Sequence, residues 1–278
     1  MLTEDVLRHL YPAASATVIT AFAAQSAALL SEFEISDRQN RLHFFLAQMG
    51  HESGGLRIAE ENLNYTGARM MVVWPSRFKT LASTVGLAGN PQALANNVYG
   101  GRLGNTAPND GWTYRGRGYI QITGKDGFIE VDKIAKVGLV AHPELAADPQ
   151  TALRVACSFW SWKKLNALCD SGDFTAVTKR INGGTIGLQD RLAWLAKVQS
   201  IVPWPLGGVA PANLKEEPLS IAQLKAVQVK LQALGLYSGS IDGIFGTNSR
   251  AGLKGYQIDQ GLPATGRLTA ETVKRLGV

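Results

Sequence analysis

The run Phe45-Leu46-Ala47-Gln48-Met49-Gly50-His51-Glu52-Ser53-Gly54-Gly55, continued by Leu56-Arg57-Ile58-Ala59-Glu60-Glu61-Asn62, puts acidic residues on both sides of a Gly-Gly break. Leu42, Phe45, Leu46 and Met49 recur at helical spacing, with Ser36 read as the N-cap and Gln39 as its capping-box partner. The spacing predicts a buried helix. Glu52 follows at the edge of its apolar face, where a half-buried carboxyl is expected to have the raised pKa that a general acid needs. Gly54 and Gly55 can take the left-handed conformation that ends a helix, so the chain can double back and carry Glu60 or Glu61 towards Glu52. In a continuous helix residues nine apart lie ~13 Å apart along the axis, beyond the ~6.5–9.5 Å that separate the two carboxyls of an inverting glycosidase. The break brings that separation within reach. The competing reading of a glutamate at a helix end is a solvated surface charge.

A chain of 278 residues with 45% hydrophobic and 18% charged residues can bury a large core, with room for one large domain and one small one. The formal charge of +6 and pI near 9.3 favour an anionic partner: nucleic acid, a membrane surface or an acidic cell-wall polymer. The basic residues form no polybasic run, which argues against nucleic acid. Met1-Leu2-Thr3-Glu4-Asp5 lacks a basic segment followed by an apolar core, and no stretch approaches the ~20 apolar residues of a membrane span. The expectation is a chain made in the cytoplasm without an ordinary export signal. Cys157 and Cys169 flank Phe159-Trp160-Ser161-Trp162 and read as buried free thiols, with a disulfide as the alternative.

Leu2 to Leu30 reads as two helices broken at Tyr11-Pro12, covering the Glu52 helix. Beyond the Gly-Gly turn, Asn64 and Tyr65 can line a sugar groove or serve as a helix cap and a half-buried ring, before a short helix through Met70 to Trp74 that Pro75 stops. Residues 96–118 are rich in Gly, Asn and aromatics, including Tyr99 and Trp112. A long irregular stretch of that kind reads as a binding loop whose rings suit the apolar faces of sugars. Tyr119 to Thr123 alternates at period two, which predicts a short strand or extended piece with Gln121 and Thr123 on one polar face. A helix then runs from Asp148-Pro149 through Trp160 and Trp162, both read as core, and another spans Asp173 to Arg180. Ile181-Asn182-Gly183-Gly184 turns the chain, and helical periodicity resumes at Asp190-Arg191. Asn182 and Arg191 are the polar groups expected to point inward, Arg191 towards a catalytic carboxylate or into a plain salt bridge. The Pro/Gly-rich stretch 204–218 reads as a linker between residues 1–203 and a module at 219–278. That module is predicted to hold three short helices around Leu231, Leu234, Phe245, Leu253, Tyr256, Leu262 and Leu276, without a catalytic cluster.

Three ordered motifs together, Phe45 to Gly55, Arg115-Gly116-Arg117-Gly118-Tyr119-Ile120-Gln121-Ile122-Thr123-Gly124 and Ile181-Asn182-Gly183-Gly184, resemble glycoside hydrolase family 19, and most of all its endolysin branch, over roughly residues 35 to 200. Residues 219–278 resemble the type 1 peptidoglycan-binding domain through Leu231-Gln232-Ala233-Leu234-Gly235, Ile241-Asp242-Gly243-Ile244-Phe245-Gly246 and Gly261-Leu262-Pro263-Ala264-Thr265-Gly266. The resemblance implies a mainly helical, lysozyme-like catalytic domain that inverts a β-1,4 bond next to an N-acetylated sugar. Glu52 matches the family's general acid and Glu61 its general base, with Glu60 as the substitute. Thr123 and Gln121 match residues that hold the nucleophilic water and the substrate, and Asn182 and Arg191 match groups lining the cleft. His51 joins Tyr65, Tyr99 and Trp112 among the binding residues, orienting Glu52 or capping its helix. Where the family often has an Asn-Tyr pair after Thr123, this chain has Gly127-Phe128.

The expected activity is hydrolysis of bacterial peptidoglycan by a monomeric, phage-type lysis enzyme without cofactor or metal, released to the wall by a partner such as a holin. A bacterial autolysin or effector, a chitinase, a lytic transglycosylase and a non-catalytic wall binder are the alternatives. A zinc peptidase is disfavoured, because His51-Glu52 begins a zinc-binding helix motif but Gly55 stands where its second His belongs.

Overall fold

The structure, a computed structural model, describes residues 2–204, 216–260, 262 and 265–278. Its helices are α1 (Glu4–Leu10), α2 (Ala16–Glu32), α3 (Gln39–Glu52), α4 (Gly67–Val73), α5 (Pro91–Tyr99), α6 (Asp110–Thr113), α7 (Lys125–Ala135), α8 (Ala152–Trp162), α9 (Leu165–Asp170), α10 (Phe174–Asn182), α11 (Leu188–Ile201), α12 (Ile221–Ala233), α13 (Thr247–Asp259) and α14 (Ala270–Leu276). Strand pairing among the described residues is limited to two isolated antiparallel bridges, Glu60 with Arg117 and Arg117 with Ile122. None of the described helices is long and apolar enough to cross a membrane.

The central element is α3, in which every residue from Leu42 to Gly50 is buried. A helix enclosed on all sides must satisfy its polar side chains internally. His43 does so at the Val202 carbonyl, 3.2 Å from Nε2, and burial pushes its pKa down to about 4 against that bond. The helix packs chiefly against α11, with α9 and α10 alongside. The α1–α2 pair reaches it through Tyr11, whose hydroxyl donates to the Leu46 carbonyl at 2.7 Å, but lies mainly against α11 and α8. The expected capping box at Ser36 is absent. The Ser36 N–H bonds the Leu30 carbonyl and so finishes α2, and α3 starts after Arg38 with no side-chain cap.

Three apolar clusters organise the described chain. The largest runs from Leu2 to Val202 and includes α3, Tyr119, Ile120, Ile122 and the α8 residues Phe159 and Trp160. A smaller one gathers Leu63, Met70, Phe78, Leu94, Ala95 and Val98, with Tyr65, Trp74, Tyr99 and Trp112 packed on it. The third holds α12 to α14 through Val227, Leu231, Leu253, Tyr256, Leu268 and Leu276. Leu234, expected in that core, is 56% exposed because it caps the end of α12 instead of facing inward. Cys157 and Cys169 are free and buried, and burial pushes the Cys169 thiol up to about 12. Most of the linker read at 204–218, and Gly261, Pro263 and Ala264 of the C-terminal motif, lie outside the described residues.

Candidate active site

Glu52 ends α3, and Ser53 closes the helix by donating to the Met49 carbonyl at 2.6 Å while accepting from the Leu56 N–H at 2.8 Å. Gly54, Gly55 and Leu56 then follow with φ of 57°, 76° and 60°. Three left-handed residues in a row reverse the chain, and the two glycines make that reversal inexpensive. The returning segment is pinned to residues 116–118: Glu61 N–H bonds the Gly116 carbonyl at 2.9 Å and Gly118 N–H bonds the Ala59 carbonyl at 2.8 Å.

Those residues open a tight turn, where period-two alternation led to the expectation of a short strand or extended piece. Arg117 and Ile122 exchange both backbone hydrogen bonds, Gly118 to Gln121 make the turn, and Gln121 has φ of 52°. The Gln121 amide closes it by donating to the Gly118 carbonyl at 2.9 Å. Gln121 and Thr123 nevertheless line one cleft, of about 490 Å³, with Glu52, Asn182, Leu103, Ile120, Ile122, Asp126, Gly127, Phe159, Trp162, Lys163 and Ile181.

The three glutamates have different surroundings. Arg191, 2% exposed, donates from Nη2 to Glu52 Oε1 at 2.6 Å and from Nη1 to Gln48, whose amide donates to Thr178 at 2.9 Å. This buried chain of donors fixes the carboxyl plane, and Glu52 Oε2 has no partner among the described residues. Glu60 is held by Arg115 at 2.6 Å and Arg117 at 2.9 Å. Burial would raise its pKa, but the two guanidiniums outweigh burial and hold it below the usual carboxylate value. Glu61 has only neutral donors: the Tyr99 hydroxyl at 2.8 and 3.0 Å from its two oxygens and the Gly116 N–H at 3.3 Å. Burial, and then the Glu61 charge, push the Tyr99 hydroxyl well up, so it remains a donor. A β-carbon at Gly116 would lie 3.0 Å from Gln121 Oε1 and 3.3 Å from Glu61 Oε2, so the Glu61 carboxyl and the cleft-lining amide meet at that residue.

Of the remaining candidates, His51, Tyr65 and Trp112 are not among the residues that line the cleft. His51 bonds Asp190 at 2.5 Å, so consecutive residues of α11, Asp190 and Arg191, grip consecutive residues of α3, His51 and Glu52. Tyr65 packs edge-on against Trp74 at 5.3 Å, and Trp112 carries the Arg115 guanidinium 3.7 Å above its ring. Asn182 lines the cleft and donates to the Ile186 carbonyl at 3.3 Å. Trp162, read as core, packs partly buried against the main core and also lines the cleft; that second role, like the lining positions of Lys163 and Asp126, is one that sequence reading missed. The available signal was its place at the last position of α8, three residues after Phe159, where a ring can leave the core.

Comparison with known proteins bears on this arrangement. Residues 220–276 match the family model described as "Putative peptidoglycan binding domain". A protein of Haemophilus influenzae described as a glycosyl hydrolase family 19 domain-containing protein is 35% identical over 195 residues, which are 69% of this chain and 92% of that protein. The localization factor PodJL of Caulobacter vibrioides is 35% identical over 108 residues, 38% of this chain and 10% of PodJL. Among solved structures, chitinase C from Streptomyces griseus aligns with a TM-score of 0.48 at 19% identity, covering 75% of this chain and 78% of that one.

Proposed function

The chain belongs to glycosyl hydrolase family 19, and from that membership we propose an endolysin-type enzyme that hydrolyses the β-1,4 glycosidic bonds of bacterial peptidoglycan with inversion. It is a glycoside hydrolase with a lysozyme-like helical catalytic domain and a C-terminal peptidoglycan-binding domain. The observation that carries the mechanism is the contrast among the three glutamates. Glu60 is consumed by two guanidiniums, Glu61 carries only neutral donors, and Glu52 presents one unpartnered oxygen at a cleft.

In this reading Glu52 Oε2 gives its proton to the leaving glycosidic oxygen while Arg191 holds Oε1. Glu61 takes a proton from a water that attacks the anomeric carbon from the opposite face. The Thr123 hydroxyl donates to the Gln121 carbonyl at 3.2 Å, so either its lone pairs or the Gln121 amide oxygen can accept the water's second O–H while Glu61 takes the first. The turnover ends with Glu52 ionised and Glu61 protonated, and exchange with solvent restores both.

The binding domain favours peptidoglycan over chitin, which shares the β-1,4-linked N-acetylglucosamine chemistry. A glycan-cutting domain joined to a wall-binding one also suits lysis. The proposal therefore extends to a monomeric, antibacterial enzyme of phage type, made in the host cytoplasm and released by a holin-like partner.

Mass spectrometry of digests of purified peptidoglycan and of chitin oligomers tests the substrate: peptidoglycan fragments with reducing ends are expected, and digestion of chitin alone overturns the assignment. Glu52→Gln and Glu61→Gln should each lower kcat by about 10²–10⁴-fold. Anhydro-sugar products from a still-active Glu61→Gln enzyme would identify a transglycosylase.

A further inference from the structure

One part of the cleft carries charge that the two-carboxylate reaction does not use. The ends of α8 and α10 contribute Phe159, Trp162, Lys163, Ile181 and Asn182 to the lining. The Lys163 ammonium lies 3.6 Å from the Trp162 ring centroid and 5.6 Å from that of Phe159. Arg180, in the last turn of α10, donates to the Lys163 carbonyl at 3.3 Å, which ties a second cation to the same corner. Neither side chain has an ion-pair partner among the described residues; what bears on the Lys163 ammonium is burial and the repulsion of Arg180, both lowering its pKa. The lining's carboxylates come from other elements: Glu52, already tied to Arg191, and the exposed Asp126 on the first turn of α7.

A half-buried ammonium parked on an indole is held by a weak contact, and its flexible stem lets it swing to a better counter-charge. Once it leaves, the Trp162 face is free for the apolar C–H face of a sugar. An aromatic platform beside two unneutralised cations therefore matches a sugar that bears a carboxylate. Chitin offers none. In peptidoglycan every second sugar carries a lactyl ether extended by a peptide with free carboxylates.

We propose that Trp162, Lys163 and Arg180 form an anion-recognising subsite that seats the peptide-bearing muramyl sugar, with its acidic substituent directed over the α8–α10 corner. The proposal rests on peptidoglycan being the substrate.

The test uses the full chain with two substrates, soluble peptidoglycan strands that keep their peptide stems and neutral chitooligosaccharides. The readout is the ratio of their kcat/KM values. Lys163→Gln should lower that ratio about tenfold, the effect of losing one charge-assisted contact, mostly through KM. Arg180→Gln should lower it in the same direction, and Lys163→Arg should restore most of it. Added salt should depress the wild-type ratio more than that of Lys163→Gln. If wild type digests peptidoglycan and the ratio and its salt dependence are unchanged in both Gln variants, the subsite is wrong while the substrate assignment stands. If wild type digests only chitooligosaccharides, the assignment fails and the subsite with it.

Discussion

Glu60 and Glu61 are adjacent and chemically identical, and what separates them is which groups the fold brings to each. Arg115 and Arg117 are 9% and 5% exposed, so the Glu60 carboxylate is the counter-charge that makes their burial tolerable. Glu60→Gln is therefore expected to act on stability, costing about 1–3 kcal/mol after discounting for the solvent that reaches Glu60, with kcat much less affected than in Glu61→Gln. The pH dependence has a definite sign. The folded-state pKa of Glu60 lies below its ordinary value of 4.5, so its contribution is complete above pH 4.5 and is lost as the pH falls through the lower folded value. Urea denaturation of wild type and Glu60→Gln should show a gap that is constant near neutrality and closes below pH 4.5; a gap that persists in acid would mean that the carboxylate charge is not its source.

At the scale of elements, the site depends on how closely α11 lies on α3. Gly50 permits that approach, since a β-carbon there would sit 2.6 Å from Trp194 Cε3. Trp194 is three residues after Arg191 on the same helix, so pushing the ring outward moves the guanidinium that orients Glu52. Gly50→Ala should cost about 1–3 kcal/mol through overpacking and should also slow turnover. The measurement is thermal unfolding together with kcat at a temperature where the variant is folded. A destabilised variant with wild-type kcat would uncouple the helix contact from the carboxyl's orientation. Helical periodicity located α3, but its start was misjudged because Ser36 has the chemistry of a cap while its N–H is already committed to α2. The strand or extended piece expected at 119–123 failed for a related reason. Alternation describes side-chain chemistry, and here Gly118 to Gln121 make a four-residue turn closed by the Arg117–Ile122 pair, so that Gln121 in the turn and Thr123 just after it line the cleft without a strand.

At the scale of the whole molecule, a cleft in one set of helices and a wall-binding module in another divide the work between cutting and staying near the polymer. The C-terminal cluster is built from its own helices, and the residues lining the cleft all belong to the chain before residue 204. Tethering raises the local concentration of substrate without adding a contact at the cleft. A chain ending at Trp204 should retain its kcat/KM on short soluble glycan fragments and lose about tenfold or more on intact, insoluble walls. Equal losses on both substrates, measured by reducing-end release, would show that the module supports the catalytic fold and not substrate capture.

Sequence alone determined the buried α3 helix, the Gly-Gly reversal after Glu52 and the helical C-terminal module, because these follow from local periodicity and from backbone conformations that few residues can adopt. Only the tertiary structure decided which glutamate is paired with guanidiniums and which has only neutral donors, that Arg191 reaches Glu52 across 139 positions of chain, and that Trp162, at the edge of the core, also lines the cleft. Those outcomes depend on which charges and surfaces meet after distant segments pack, and the residues within one segment do not encode that meeting by themselves.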